Sequence, residues 1–345
     1  MFKPNFKYTN KIVQNLTAIA EARAIILTAP MVPKWEVSLR KEALLKSAHS
    51  STAIEGNPLS YSQVSALAEG REVMVRRKDR QEVLNYITGL ETIPNLSKRN
   101  PFTKEDLLEL HKIITKDTLE NPKDEGAIRD RQVYVVNRAT GEVVFKPPTV
   151  EDVPLLTDEL LDSINSGGME DLNPVIEAGI VHYELVRIHP FIDGNGRTAR
   201  VMASLVLYKR GFDIKRFFAL DDYYDSDRRS YYEALRKVDQ ETLDLTGWLE
   251  YFTDGVAACV DAVRDKVIGL SRDIKVLKDR GQTALTDRQM RIVQHMVEKG
   301  RLTNAEVREM FGLSNRAAMD EIDKLLKQRI IRRKGKGRST HYILE

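Results

Sequence analysis

The residues from 189 to 200, HPFIDGNGRTAR, concentrate side chains that could bind a phosphorylated substrate. Gly194 and Gly196 let the backbone turn freely and bring amide N–H groups close to an anion. The run leads into a predicted helix, whose first N–H groups and macrodipole favour phosphate. Arg197 and Arg200 place cations at that helix start, against the dipole, which indicates that a bound polyphosphate compensates them.

Two further side chains of the segment predict metal and acid–base chemistry. Asp193 is its one carboxylate, and a Mg²⁺ ion that bridges phosphates needs few protein carboxylates. A neutral imidazole at His189 could accept the proton of an attacking hydroxyl. Such residues also occur in ordinary loops, but a base, a carboxylate, two glycines and two arginines so close together favour phosphate handling.

Composition is that of a globular protein from a reducing compartment. Of 345 residues, 42% are hydrophobic and 30% charged, which excludes general disorder and suits two or three domains. Cys259 is the only cysteine, so an internal disulfide and a cysteine-based zinc site are excluded. No stretch resembles a membrane span or an export signal, so we expect a cytoplasmic protein without a membrane partner.

Hydrophobic spacing predicts helices along most of the chain, and the segment 189–196 then joins two apolar, buried ones. The exception is a predicted β-hairpin at residues 132–136 and 142–145, which are rich in β-branched and aromatic side chains. It could be a surface decoration or an edge that pairs with an extended peptide. The predicted helices before the tail cover residues 40–55, 61–91, 103–118, 150–164, 174–188 and 197–209.

The tail has its own pattern, with helices at 287–297, 303–311 and 314–327 followed by two short strands within 329–344. This order is typical of a winged helix. Residues 281–345 contain 14 Lys and Arg against 8 Asp and Glu, a net +6, whereas the remainder carries −3. The basic loop 332–338 favours DNA, but acidic residues in the third helix would repel phosphates, so dimerisation or protein contacts remain the alternative.

The segment 189–200 matches every specified position of the signature His-x-Phe-x-Asp/Glu-Gly-Asn-Gly-Arg-x-x-Arg of the Fic family, which the chain resembles over about residues 34–254. The resemblance implies a mainly α fold: a Fic-type helical domain with a β-hairpin flap, plus a C-terminal winged helix-turn-helix domain. The implied domains are an N-terminal helical region at 1–100 with an inhibitory helix at about 40–56, a catalytic core at 101–260, a helical connector at 261–282 and a winged helix at 283–345.

The resemblance also implies an activity, the Mg²⁺-dependent transfer of AMP from ATP to a Ser, Thr or Tyr hydroxyl of a target protein. His189 would be the general base and Asp193 the Mg²⁺ ligand. The implied phosphate and nucleotide contacts are Gly194, Asn195, Gly196, Arg197, Arg200 and, beside the adenine, Tyr231 or Tyr232. The implied target-aligning flap contains Tyr134, Val135, Val136, Val144 and Phe145.

A second segment, STAIEGN at residues 51–57, ends an early helix with an acid. A carboxylate at a helix C-terminus is unfavourable by a few tenths to about 1 kcal/mol, so Glu55 is either a solvated side chain on a frayed end or part of a site. The segment resembles the inhibitory motif of Fic proteins, with Ser51 as its first residue. The resemblance implies that Glu55 pairs with Arg200 and inhibits the enzyme intramolecularly.

Two other functions fit the same residues. The site could remove AMP from a modified protein, with Glu55 positioning water. Alternatively, the chain could be a DNA-binding regulator whose Fic-like body senses a nucleotide, and it could form a homodimer.

Overall fold

The computed structural model describes residues 2–31, 33–136, 141–165, 169, 171–212, 214–279, 286–335, 337 and 340–344. Helices dominate, as the sequence predicts. They are α1 (Asn10–Thr28), α2 (Pro33–Ile54), α3 (Tyr61–Ala68), α4 (Arg77–Leu96), α5 (Lys104–Thr115), α6 (Val153–Asn165), α7 (Pro174–Ile188), α8 (Asn195–Lys209), α9 (Leu220–Ser226), α10 (Arg228–Arg236), α11 (Thr246–Asp279), α12 (Asp287–Lys299), α13 (Asn304–Phe311) and α14 (Asn315–Lys327). The strands are β1 (Val135–Val136), β2 (Val143–Phe145), β3 (Ile331–Lys334) and β4 (His341–Leu344). None of the described helices combines the length and apolarity that crossing a membrane requires.

Helices α7 and α8 are the buried pair that the sequence predicts. Asn173 caps α7 by accepting a hydrogen bond from the Val175 N–H, and Pro174 occupies the first turn, where no N–H is needed. The helix ends at Ile188, before the His189–Pro190 step. Helix α8 begins two residues earlier than predicted, because the left-handed Gly194 (φ 79°) takes the N-cap position.

The predicted continuous helix at residues 61–91 is wrong. Helix α3 ends at Ala68, and Gly70 adopts φ 73°, which is the usual glycine position just beyond a helix end. Residues 71–76 then lead to α4, which starts at Arg77. The glycine and the β-branched Val73 and Val75 were signals that the charge spacing concealed.

The predicted hairpin is present but shorter than expected. Strands β1 and β2 are antiparallel, with Val135 opposite Phe145 and Val136 opposite Val143. Of the predicted loop at residues 137–141, residues 137–140 lie outside the described residues.

The chain forms two compact units, which are described separately. Unit 1 comprises Met1–Leu27 and Glu42–Arg264, and unit 2 comprises Thr28–Lys41 and Asp265–Glu345. In unit 1 the α7–α8 pair is covered by α4, α5 and α11. Gly179 allows the last of these contacts, since a Cβ there would lie 2.8 Å from Leu249 and 3.0 Å from Phe252.

Unit 2 contains the helices and strands that the sequence predicts for the tail. Thr303 and Glu306 form a capping box at the start of α13, and Gly312 ends that helix with φ 62°. Strands β3 and β4 pair, and Leu302 forms a bridge with Tyr342, over a core of buried aliphatic side chains. Its classification as a winged helix stays a prediction, and residues 336 and 338 of the basic loop lie outside the described residues. The predicted connector is the second half of α11 as far as Asp279.

Candidate active site

The loop between α7 and α8 is fixed from behind by side chains. Asn195 accepts a hydrogen bond from the Phe191 N–H and donates one to the Phe191 carbonyl, both at 2.9 Å. The fully buried Phe191 ring stacks on His111 at a centroid distance of 3.6 Å. His111 accepts from the Gly126 N–H at Nδ1, so its Nε2 donates to the Asp193 carbonyl, 2.9 Å away. The loop is therefore held in one conformation before any ligand binds.

Two glycines of the loop occupy positions that no other residue could fill without movement. A Cβ on Gly194 would lie 2.6 Å from a methyl of Thr115. A Cβ on Gly196 would lie 2.5 Å from Oε1 of Glu55. The backbone at the start of α8 is thus closely approached by a carboxylate, in the position where helix N–H groups attract anions.

His189 has the geometry of a base. It follows α7 in the left-handed region (φ 53°, ψ 57°), which costs a non-glycine residue on the order of 1–3 kcal/mol and is typical of functional sites. Its Nδ1 lies 3.1 Å from the Val186 carbonyl, so the neutral ring carries its proton there and Nε2 keeps a lone pair. Burial lowers the pKa of His189 below its usual value of 6.5, so the ring is neutral at pH 7. The buried Arg129, which the sequence reading missed, donates through Nε to the His189 carbonyl at 2.9 Å.

Asp193 and Arg197 lie one helical turn apart and differ in exposure. The Asp193 side chain is 54% exposed and that of Arg197 is 3% exposed, with 3.4 Å between Oδ1 and Nη2. Burial raises the pKa of Asp193, but Arg197 and the Gly194 N–H outweigh it and hold the pKa below its usual range. Arg197 also lies 3.7 Å from Glu82, yet among the described residues its Nε and Nη1 have no hydrogen-bond partner. Such buried donors are costly unless something else accepts from them.

The predicted pairing of Glu55 with Arg200 is present. Nη2 of Arg200 lies 2.9 Å from Oε1 of Glu55 and 3.0 Å from the Ser51 carbonyl. Nε of Arg200 donates to the Ser51 hydroxyl at 2.6 Å. The first residue and the acid of the predicted motif therefore both hold this arginine, across 145 residues of sequence.

A second carboxylate holds the same arginine and was missed from the sequence. Oδ1 of Asp221, in the first turn of α9, lies 3.4 Å from Nε of Arg200 and accepts a hydrogen bond of 2.8 Å from the Tyr86 hydroxyl. Asp221 lies in the first turn of α9, a helix that the sequence analysis did not predict. Its partners Tyr86 and Arg200 come from helices far apart in sequence, so no local pattern could identify it.

An open polar cavity of about 260 Å³ adjoins the loop. It brings together Asp193, Arg197 and Glu55, as predicted, and adds side chains from the start of α4. The added charged residues are Arg76, Lys78, Asp79 and Glu82. The site can thus bind an anion through cations and helix N–H groups, beside one exposed carboxylate.

The predicted adenine-flanking tyrosines differ in accessibility. Tyr231 is 1% exposed, and its hydroxyl lies 2.9 Å from Nε2 of the buried His182. Tyr232 is 39% exposed, so it is the one of the two with an accessible ring. In the predicted flap, Tyr134 and Val136 are about half exposed, while Val135, Val144 and Phe145 are partly covered.

Fold and site together define a helical domain built around a glycine-containing loop that leads into a buried helix, with a neutral histidine at the start of the loop. Residues 101–207 match the sequence model of the Fic/DOC family. The chain is 30% identical over 253 residues to the protein adenylyltransferase Fic of Nematostella vectensis, covering 72% of this chain and 54% of that protein. For the protein of the same name from Drosophila grimshawi the values are 31% over 245 residues, 68% and 47%.

Solved structures show the same fold. A Fic family protein from Desulfovibrio desulfuricans G20 aligns with a TM-score of 0.65 at 23% identity, covering 100% of this chain and 98% of that one. Fic-1 from C. elegans aligns with a TM-score of 0.59 at 26% identity, covering 76% and 73%. The chain belongs to the Fic/DOC family. It spans about half the length of the curated relatives it matches.

Proposed function

We propose that the chain is a protein adenylyltransferase that moves AMP from ATP to a hydroxyl of a target protein and is inhibited by its own Glu55. Curated relatives at about 30% identity carry the name of this activity. The observation that carries the proposal is the position of the Glu55 carboxylate. It lies against Gly196 at the start of α8 and on Arg200, where a phosphate would be favoured.

The proposed reaction uses the residues of the loop in distinct roles. The target hydroxyl oxygen bonds to the α-phosphorus, the bond from that phosphorus to the bridging oxygen breaks, and pyrophosphate leaves. His189 accepts the hydroxyl proton at Nε2, the nitrogen that its bond to Val186 leaves unprotonated. The Arg197 donors that make no hydrogen bond among the described residues, together with the first N–H groups of α8, bind the outer phosphates.

Asp193 fits a Mg²⁺ ion that is shared with the nucleotide. It is exposed and ionised at pH 7, and no group of three or more metal-binding side chains occurs in the part of the chain that the structure describes. Such an ion would take its other ligands from phosphate and water, and it would neutralise charge on the departing pyrophosphate.

The hairpin β1–β2 is the proposed docking edge for the target. Val136 and Val143 are 47% and 57% exposed, and Tyr134 beside them is 52% exposed. An accessible strand edge of this kind can pair with an extended segment that carries the Ser, Thr or Tyr hydroxyl.

The single cysteine favours a reducing compartment, so we propose that the reaction takes place in the cytoplasm.

The test compares wild type with Glu55→Gly, incubated with Mg²⁺ and ATP labelled at either the α- or the γ-phosphate. Protein labelling from the α-position only, much stronger in the variant, is the expected result. His189→Ala in the Glu55→Gly background serves as control and should remain unlabelled. Labelling from the γ-position, or none from either, would contradict the proposal. Release of AMP from a modified protein by wild type, lost in Glu55→Gly, would favour the removal of AMP instead.

For unit 2 we propose DNA binding as a second function, because three consecutive basic side chains of β3 are exposed. They are Arg332, Arg333 and Lys334. Asn315 and Arg316 at the start of α14 are exposed as well, where a recognition helix contacts a groove. Asp320 and Asp323 are exposed on the same helix, so self-association of this unit into a homodimer is the competing outcome.

A further inference from the structure

Arg200 is held by two carboxylates, and only one of them belongs to the proposed inhibitory segment. We infer that the other, Asp221, is a positioning residue that keeps Arg200 aimed at the outermost phosphate of the nucleotide after Glu55 has been displaced. The inference rests on the proposed function, since it assumes that a nucleotide replaces Glu55 at the start of α8. In this exchange Asp221 stays bound to Arg200 while the nucleotide replaces Glu55.

The two carboxylates contact different nitrogens of the guanidinium group. Asp221 faces Nε, which also donates to the Ser51 hydroxyl at 2.6 Å. Glu55 faces Nη2 at 2.9 Å. Because the guanidinium group is planar and rigid, fixing its Nε edge also fixes the direction of the other donors. Departure of Glu55 therefore leaves the contacts of Arg200 with Asp221 and Ser51 in place and makes Nη2 available to another acceptor.

Asp221 is more buried than Glu55 and lies at the favourable end of a helix dipole. The Asp221 side chain is 5% exposed and that of Glu55 is 29% exposed. Asp221 accepts from the fully buried Tyr86 and lies in the first turn of α9, where the helix dipole favours an acid. Glu55 follows the last residue of α2, at the dipole end that disfavours an acid.

Charge explains why the buried arginine needs this second partner. A buried guanidinium left without a counter-ion is strongly destabilising. With Asp221 in place, Arg200 stays neutralised when Glu55 leaves, and Glu55 is the surplus negative charge at the site. A phosphate that replaces Glu55 then meets a correctly oriented donor.

The neighbouring carboxylate provides a matched control. Asp222 lies in the same turn of α9 and also contacts α2, through the Ser50 hydroxyl at 3.1 Å and Lys46 at 3.4 Å. The described contacts do not join it to Arg200, and its side chain is 48% exposed. Asp222→Asn thus removes one charge and one contact to α2 while leaving the arginine untouched.

The experiment measures nucleotide preference in three full-length proteins: Glu55→Gly, Glu55→Gly with Asp221→Asn, and Glu55→Gly with Asp222→Asn. Calorimetry with Mg²⁺ compares α,β-methylene ATP with α,β-methylene ADP, because neither is cleaved at the bond that transfer breaks. Arg200 aimed at the third phosphate should give the first protein a preference of roughly tenfold for the ATP analogue. Asp221→Asn should reduce this preference to below about threefold, and Asp222→Asn should leave it unchanged.

A second variant, Tyr86→Phe in the Glu55→Gly background, covers the case in which Asp221→Asn fails to fold. It keeps the carboxylate but removes its hydroxyl partner, so the preference should fall part of the way. An unchanged preference in the folded variants, or equal weakening of both analogues together with a lower melting temperature, would overturn the inference. So would the absence of any preference in Glu55→Gly itself. A Glu55→Gly protein that prefers the ATP analogue but transfers no AMP contradicts the proposed activity alone, and the preference still decides the role of Asp221.

Discussion

The first turns of α8 and the hairpin β3–β4 are both basic, yet their cations differ in burial and in pairing. Arg197 and Arg200 are each 3% exposed, and each lies within 4 Å of carboxylates from other parts of the chain. Arg332, Arg333 and Lys334 point into solvent. Burial of the cations in the first region carries a desolvation cost, which the exposed cations of the second region do not have.

This difference separates a site from a surface. Buried cations are costly unless partners or ligands surround them, so their geometry carries specific chemical information. Exposed cations cost almost nothing to place and contribute mainly a salt-dependent attraction to polyanions. We therefore expect substitutions in the loop to change rates by orders of magnitude, and substitutions in the hairpin to change affinities by smaller factors.

The largest effect is expected for His189→Ala in the Glu55→Gly background. Loss of the base should reduce AMP transfer by about a hundredfold to ten-thousandfold, while ATP affinity stays the same, because Nε2 acts on the target hydroxyl. Transfer is measured with α-labelled ATP and affinity by calorimetry. His341→Ala, the same change in β4 of unit 2, is the control and should leave both quantities unaltered. If His189→Ala keeps most of the AMP-transfer rate, His189 is not the base.

A gain is expected from Glu55→Gly alone. Release of Arg200 should restore a productive pose of the phosphates, and misplacement by about 1 Å can cost on the order of a hundredfold in rate. The rate of self-labelling should therefore rise roughly a hundredfold. Arg200→Ala added to Glu55→Gly should abolish this gain. If the gain survives without the arginine, general loosening of α2 rather than the ion pair would be the cause.

The sequence predicted the loop because its residues are contiguous and their spacing is specific. The bounds of α7 and the order of elements in unit 2 also followed from local rules. The pair of Glu55 with Arg200 could be predicted only through the resemblance, since 145 residues separate the two. Its presence is confirmed by a distance of 2.9 Å.

The supporting residues could not be predicted, because their role depends on tertiary contacts. Arg129, Glu82 and Asp221 each lie in unremarkable sequence and reach the loop or its arginines from other elements. His111, which no local motif singles out, is buried directly behind the loop. The break between α3 and α4 shows the opposite failure, where charge spacing was given more weight than the local signal of Gly70.

A smaller loss is expected for Asp193→Ala in the Glu55→Gly background. Removing the one carboxylate of the loop should weaken Mg²⁺-dependent ATP binding and transfer together, by roughly tenfold or more. A titration of activity against Mg²⁺ concentration should shift to higher values. Asp130→Ala is a suitable control, since that carboxylate is 82% exposed and pairs only with its neighbour Arg131 among the described contacts. Unchanged affinity and turnover in Asp193→Ala would exclude this residue as the metal ligand.

The hairpin of unit 2 is tested by changing Arg332, Arg333 and Lys334 together to Gln in the full chain. If these side chains contact phosphates, duplex DNA binding at low salt should weaken about tenfold or more, and the slope of log affinity against log salt should fall by about 2 to 3. Fluorescence anisotropy over a salt series measures both. The matched control changes the exposed Arg228, Arg229 and Arg236 of α10 to Gln. Equal losses in both variants, or no binding by wild type at low salt, would favour self-association as the role of unit 2.

The smallest effects are expected at two equivalent caps, one in each unit. The hydroxyl groups of Thr103 and Thr303 each accept a hydrogen bond of 3.3 Å from the backbone N–H three residues further along the chain. In turn, the backbone N–H of each threonine donates to the side-chain carboxylate of that residue. Replacing either by Ala should cost about 1 kcal/mol. The same cost should lower the melting temperature of the smaller unit 2 by roughly 4–8 °C and that of the larger unit 1 by only about 2–4 °C, because the entropy of unfolding grows with size.

Differential scanning calorimetry measures the melting temperature of each unit in the two variants. An ATP analogue identifies the transition of unit 1, because it should raise the melting temperature of that unit alone. Thr103→Ser and Thr303→Ser keep the hydroxyl and serve as controls with little expected shift. If Thr303→Ala moves both transitions equally, the two units unfold as one, and the contrast between a self-contained site and a separate basic surface would lose its basis. If each change moves only its own transition, the two regions are energetically independent, and the mutational tests of the loop and the hairpin can be interpreted separately.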